Sequence, residues 1–332
     1  MSTLPEKDLP PGRHRLLKEH LMTEFRQETQ TDEREARGAK RPARRAWLRP
    51  ALVAAAAAAV ATGLLVALPS DDATGARDTA ATSGGGTGGG TGGAPAQYGS
   101  DEAERLLEDI ALAASKRDAP ERIRDDQFVY IKSRVGYMSF GVNTKPQLER
   151  VHDREIWKSV DGTRKGLLDE DNHNGRIKLD AEKPGIPSNT GYRHLETLPT
   201  DPAKMHKWLY DNGEGDRTQK DERAFTLFGD LVGESLVPKK QAVALYRAAA
   251  RIKAVEVVDG VKDAAGRTGV ALVRENEDGF QEQLVFDPRT KEYLGERVVA
   301  VRDTEDGVKK GQLLGTSAIL DREIVDKAGR RP

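Results

Sequence analysis

The stretch that most constrains this chain is Ala51–Leu68, ALVAAAAAAVATGLLVAL, a run of 18 residues without a charge. At about 1.5 Å rise per residue it spans about 27 Å as a helix, close to the thickness of a hydrocarbon core. Only a helix satisfies its own backbone polar groups in lipid, and alanine and leucine form helices readily. Seven of the 16 residues in 34–49 are basic, against one acid, Glu35. That excess puts the N-terminus in the cytoplasm, with Trp47 at the height of an interfacial aromatic. The competing reading is a cleaved secretory signal. Against it, about fifty residues precede the run, far more than the short basic region of a signal peptide. The expectation is a protein of the cell membrane with one transmembrane helix (50–69), N-terminus inside and C-terminal domain outside.

Composition fits a tethered water-soluble domain. Of the 332 residues, 32% are charged and 37% hydrophobic, so most of the chain is not membrane. The 53 basic and 54 acidic residues nearly cancel, which gives no basic face for nucleic acid. With no cysteine there is no disulfide framework, no thiolate nucleophile and no cysteine-type zinc site.

Residues 1–49 contain one structured-looking segment, LPPGRHRLLKEHLMTEFRQE (9–28). Pro10, Pro11 and Gly12 block a helix upstream, and Leu17, Leu21 and Phe25 recur every four residues as a narrow apolar stripe. A helix this short is marginal alone in water. The stripe therefore docks on a partner, lies along the inner leaflet, or leaves the segment unfolded. Leu17, Leu21 and Phe25 are the candidate partner-binding residues. The basic residues that follow read as topology signals and anionic-lipid contacts.

Residues 70–99 form a linker centred on SGGGTGGGTGG (83–93). A flexible coil of about thirty residues reaches about 30 Å. The folded part, 100–332, reads as α+β. A helix over 101–116 capped by Ser100 or Asp101 precedes a strand over 127–140, and 154–168 reads as a hairpin turning at Asp161-Gly162. Residues 169–197 read as a long loop. Three helices follow: 198–212, with Pro202 at its first position, 221–234, and one starting at Pro238. Strands over 254–259, 268–274, 280–286, 293–301 and 311–326 alternate with turns at Asp259-Gly260, Asn276–Gly279 and Asp287-Pro288. Short strands joined by tight turns give an antiparallel meander, a half-barrel being one form of it.

Candidate chemistry is sparse. DEDNHNGRI (169–177) places Glu170, Asn172, Asn174, Gly175 and Ile177 at calcium-loop positions, but Ala181 stands where a bidentate acid is required. The six histidines (14, 20, 152, 173, 194, 206) have no ligand spacing, and no nucleophile-elbow, P-loop or dinucleotide fingerprint occurs. No cofactor or metal is expected. Phe128, Tyr130, Trp157, Trp208 and Tyr210 either line a ligand groove or fill the core.

The segments LPPGRHRLLKEHLM (9–22), SVDGTRKG (159–166), GYRHLETLPTDP (191–202), AFTLFGDLVGES (224–235), ALYRAAARI (244–252), FDPRTKEYLGERVV (286–299) and GTSAILDREIVDKAGRRP (315–332) carry a resemblance. The chain resembles a family of actinobacterial single-pass membrane proteins with no established activity. Its members are similar to proteins encoded beside sigma factors of the extracytoplasmic-function type. The resemblance implies an envelope sensor or regulator, with a sigma factor or other protein as cytoplasmic partner. The chain departs from zinc-type anti-sigma domains, whose His-x3-Cys-x2-Cys motif needs cysteine. The order of helix then antiparallel sheet is similar to the half-barrel of lipoprotein-carrier and sigma-regulator periplasmic domains. Three functions follow: a non-enzymatic membrane-anchored regulator, an outer lipid- or lipoprotein-binding module, and, with no motif behind it, a hydrolase.

Overall fold

In a computed structural model, which describes residues 100–332 apart from 118–121, 140–146, 172–174, 184, 216–217 and 305–306, the first element is α1 (Asp101–Lys116). Ser100 caps it, its hydroxyl accepting from the amide of Ala103, and Asp101, Glu102 and Glu104 complement the positive end of the helix. Ala103, Leu106, Leu107, Ile110, Ala111 and Ala114 form its buried face. The expected anchor (50–69), the linker (70–99) and the stripe of Leu17, Leu21 and Phe25 lie outside the described residues. Among the described residues no helix is long and apolar enough to cross a membrane.

Next come β1 (Phe128–Ser139), β2 (Gln147–Leu148), β3 (His152–Ser159), β4 (Gly166–Glu170) and β5 (Ile177–Leu179). Four helices follow: α2 (Tyr192–Thr197), α3 (Pro202–Asn212), α4 (Lys220–Val232) and α5 (Lys239–Ala249). The chain ends in β6 (Glu256–Lys262), β7 (Thr268–Glu275), β8 (Phe280–Phe286), β9 (Tyr293–Ala300) and β10 (Leu313–Val325). These strands make one open antiparallel sheet in the order β5-β4-β3-β1-β10-β9-β8-β7-β6, with β2 on β1. The class is α+β, as the meander pattern predicts, and the open sheet is consistent with a half-barrel. The last strand closes onto the first, Ile131 pairing with Arg322 and Phe128 with Val325.

One sheet face carries the helices. Val129, Ile131, Ile156, Leu168, Ile319, Leu272, Leu284 and Phe286 meet the buried sides of α1, α3, α4 and α5 in the main core. Gly229 lets α4 approach closely, because a Cβ there would lie 2.8 Å from Glu282 Oε1 and 3.2 Å from Leu284. On the opposite face Phe128, Tyr130, Trp157 and Val325 form a smaller cluster. The C-terminal tail lies against it: the Trp157 indole donates to the carbonyl of Arg330 at 2.6 Å, and Arg331 pairs with Glu155 at 2.7 Å.

Several sequence expectations are corrected. Asp259-Gly260 is not a turn but a bulge inside β6: the register shifts between Asp259 and Val261, and Gly260 has φ 74°. The turn lies further on, where Asp263 accepts from the amides of Ala265 and Arg267. The hairpin at Asp161-Gly162 is present as expected, its connection spanning residues 160–165 and built on an Asp161 carboxylate that accepts from Thr163. The expected loop 169–197 contains β5 and α2. The aromatic set fills core rather than a groove, in two places: Phe128, Tyr130 and Trp157 sit under the C-terminal tail, and Trp208 and Tyr210 pack with the helices.

Candidate functional site

The ladder between β9 and β10 holds only for Leu313–Val299, Gly315–Val298 and Thr316–Arg297. Beyond it the strands are bridged by a side chain: Arg267, held by Asp263 at 2.7 Å, donates to the carbonyls of Leu294 at 3.0 Å and Ile319 at 2.7 Å. Further along this split, Tyr293 of β9 and Arg322 of β10 form the sheet side of a cleft of about 140 Å³. The end of α1 (Ala114, Arg117), Tyr192, the start of α5 and the α4–α5 connection supply the rest of its lining.

That connection, residues 233–238, is clasped by cations standing on the sheet. Arg322 Nη2 donates to the carbonyls of Val232 at 3.2 Å and Gly233 at 2.9 Å. Lys158 donates to the Glu234 carbonyl at 3.3 Å and to Thr190 at 2.7 Å. Glu234 meets Arg154 at 3.1 Å and accepts from Ser133 at 3.1 Å. Arg154 also pairs with Glu170 at 3.0 Å, both side chains under a tenth exposed. Cross-strand register puts this row on one face, since Arg154 stands opposite both Ser133 and Glu170. His152 Nε2 lies 3.8 Å from Glu170, and that carboxylate holds the imidazole above its ordinary value against the opposing effect of burial. Glu170, a candidate calcium ligand in the sequence, is thus committed to Arg154. Asn172 and Asn174 lie outside the described residues. Among the described residues no group of three His, Cys, Asp or Glu side chains is placed to hold a metal.

Tyr246 and Tyr293 line the cleft and belong to an aromatic row that continues into the core. Phe228, Tyr246, Phe286 and Tyr293 stack edge to face in sequence, with centroids 6.0, 6.1 and 5.5 Å apart. The Arg322 guanidinium lies 5.7 Å from the Tyr293 ring centroid, and burial lowers its pKa. Two carboxyls nearer α4 are shifted the other way. Burial, then Glu296 and Asp230, pushes Glu282 well above the usual carboxylate range, while burial pushes Glu222 up to about 7.

The described histidines are placed for structure. His152 meets the Arg150 carbonyl at 3.1 Å, His194 the Pro187 carbonyl at 3.4 Å, and His206 stacks on Tyr210 at 4.5 Å. Sequence reasoning missed the cleft, because Tyr293 and Arg322 look like ordinary alternating strand residues. A tyrosine and an arginine on the helix-facing side of their strands were the available signal.

No protein-family model matches the chain, and none of the curated proteins matches it. Among solved structures, the fold is similar to MucB in the MucA/MucB complex of Pseudomonas aeruginosa, at 14% identity and TM-score 0.26, over 70% of this chain and 58% of that one. It is similar to MucB alone at 15% and 0.27, over 70% and 61%. A LolA-superfamily protein from Nitrosomonas europaea matches at 10% and 0.18, over 68% and 94%. The matched region spans about three fifths of the MucB chains. TM-scores this low fix no residue correspondence, so the site is read from its own geometry.

Proposed function

We propose that this chain is a non-enzymatic, single-pass membrane regulator. Its outer domain, 100–332, senses an envelope ligand, and its cytoplasmic residues 9–28 hold a partner protein, a sigma factor being the first candidate. One observation carries the sensing half: the segment that roofs the cleft is fastened to the sheet by Arg154, Lys158 and Arg322. A ligand that engages Arg322 acts directly on the roof and can favour one of its arrangements. The placement of the described histidines against backbone carbonyls and an aromatic ring supports a non-catalytic role. The partner half rests on the stripe of Leu17, Leu21 and Phe25, since burying one such side chain contributes about 1.5–3 kcal/mol. Replacing all three by Ser is expected to abolish capture of the cytoplasmic partner and leave membrane insertion intact. If the triple variant captures the same proteins as wild type, the regulator reading fails.

A second reading, an outer lipid- or lipoprotein-binding module, draws on the apolar part of the cleft lining, where Val232, Leu236, Val237 and Pro238 stand together. Under that reading, loss of residues 9–28 leaves function unchanged.

A further inference from the structure

The cleft at the β9–β10 split has an unbalanced lining. Arg117, Lys239 and Arg322 bring three cations to it, and no acid is among its described lining residues. Arg322 has no carboxylate within ion-pair distance among the described residues. Its Nη2 is spent on Val232 and Gly233, and its Nε is shut away from solvent without an acceptor. Among the described residues the Arg117 side chain donates to the Lys291 carbonyl, at 3.1 Å. The hydroxyls of Tyr246 and Tyr293, both near enough to Arg322 to influence it, have no hydrogen-bond partner among the described residues. Glu292 acts on Arg322 only from a distance, and a buried guanidinium with no carboxylate in contact is costly; a bound anion reduces that cost through charge-assisted hydrogen bonds.

Size narrows the class. At about 140 Å³ the cleft matches cavities of about 150 Å³ that hold one benzene, and falls below the range of about 300–1,000 Å³ typical of sites for larger ligands. The tyrosine rings and the aliphatic roof suit a ring or a branched alkyl group.

We propose that this cleft binds a small carboxylate carrying one aromatic or branched aliphatic group, with the carboxylate on Arg322 and the hydroxyls of Tyr246 and Tyr293, and the apolar group against Val232, Leu236, Val237 and Pro238. The same chemistry is offered by a free acid and by the C-terminal residue of a peptide. The proposal deepens the sensing reading by naming a ligand class. It is tested by binding alone, so it can fail while partner capture through residues 9–28 succeeds, and the reverse.

The test is calorimetric titration of the full chain in detergent with 3-phenylpropionate, its neutral amide, a short peptide ending in phenylalanine and the same peptide amidated. For a ligand this small, a Kd on the order of 1 mM is expected. Both acids, or one of them, are expected to bind about 10–100-fold more tightly than their amides. The free acid binding better identifies a metabolite-like source; the peptide binding better identifies a chain terminus. Arg322→Met is expected to abolish the preference for acid, Arg322→Lys to keep part of it, and Ala242→Phe to block entry. Equal binding of acid and amide, or no binding of either acid, overturns the proposal. Because that comparison uses the wild-type chain, it decides even if Arg322→Met fails to fold.

Discussion

Arg322 on the last strand donates to the carbonyl of Gly233 at 2.9 Å, joining the centre of the sheet to the segment between α4 and α5. The two residues are 89 apart in sequence, yet this bond and its neighbour to Val232 help hold the roof of the cleft down. Arg154 and Lys158 fasten the next residue, Glu234, from β3. These cations act together with the packing of Leu236 and Val237 on the main core to fix the roof.

That dependence predicts a sharp asymmetry at Arg154. Its replacement by Leu deprives two carboxylates, Glu170 and Glu234, of their guanidinium, leaving His152 near the first and Ser133 on the second; Glu170 is 8% exposed. Removing one member of a buried pair costs about 3–5 kcal/mol, whereas replacing the pair with apolar groups is close to neutral. Arg154→Leu is expected to lower the urea midpoint strongly, and Arg154→Leu combined with Glu170→Leu to recover most of the loss. Equal midpoints for the single and double variants would show that Glu170 does not need its partner.

Glu222 predicts the direction of a pH effect. Burial raises its pKa from 4.5 to about 7, with Arg274 at 3.9 Å only partly opposing the shift. The folded state thus keeps a proton that the unfolded chain releases. The resulting stability is fully present below pH 4.5 and is lost as pH rises through about 7. Glu222→Gln stays neutral throughout. Thermal melts of variant and wild type are expected to agree near the acid end, with the variant ahead by about 1–3 kcal/mol at about pH 8. A variant no more stable than wild type at the alkaline end contradicts the assignment.

The C-terminal tail predicts an optical change. Trp157 is fully buried and its indole donates to Arg330. Ending the chain at Asp326 removes that acceptor and the Arg331–Glu155 pair. An indole N–H left without a partner costs about 1–3 kcal/mol unless water reaches it. In a background with Trp47 and Trp208 changed to Phe, the truncated chain is expected to emit further to the red and melt earlier. Unchanged emission would mean that the tail does not shield Trp157.

Much of this fold is legible in the sequence because its signals are local. Ser100 before an acidic first turn, Asp201-Pro202 before α3, and alternating apolar residues between Asn276–Gly279 and Asp287-Pro288 each fix an element within a few residues. Asp259-Gly260 misleads because a left-handed glycine serves a bulge as well as a turn, and the choice belongs to the partner strand. The short α2 carries no side-chain cap, which leaves it hidden among loop residues. The cleft is illegible for a deeper reason. It depends on where β9 leaves β10 and on Arg322 meeting carbonyls 89 and 90 residues away, and neither fact has a local signature.

The orientation of the whole chain rests on charge asymmetry around Ala51–Leu68 and is open to a direct test. Seven basic residues precede the run within 34–49, and Asp71 and Asp72 follow it. Positive charge resists transfer across the membrane, so under the membrane-anchored reading the basic flank is expected to stay in the cytoplasm. Because the chain has no cysteine, single cysteines at Thr29 and Thr87 are unambiguous reporters. On intact cells an impermeant maleimide is expected to label position 87 and to reach position 29 only after lysis. Labelling at 29 and not at 87 would reverse the orientation and place the 100–332 domain in the cytoplasm. A mature protein lacking residues 1–70 would instead identify the apolar run as a cleaved signal, and the regulator reading would then lose its cytoplasmic arm.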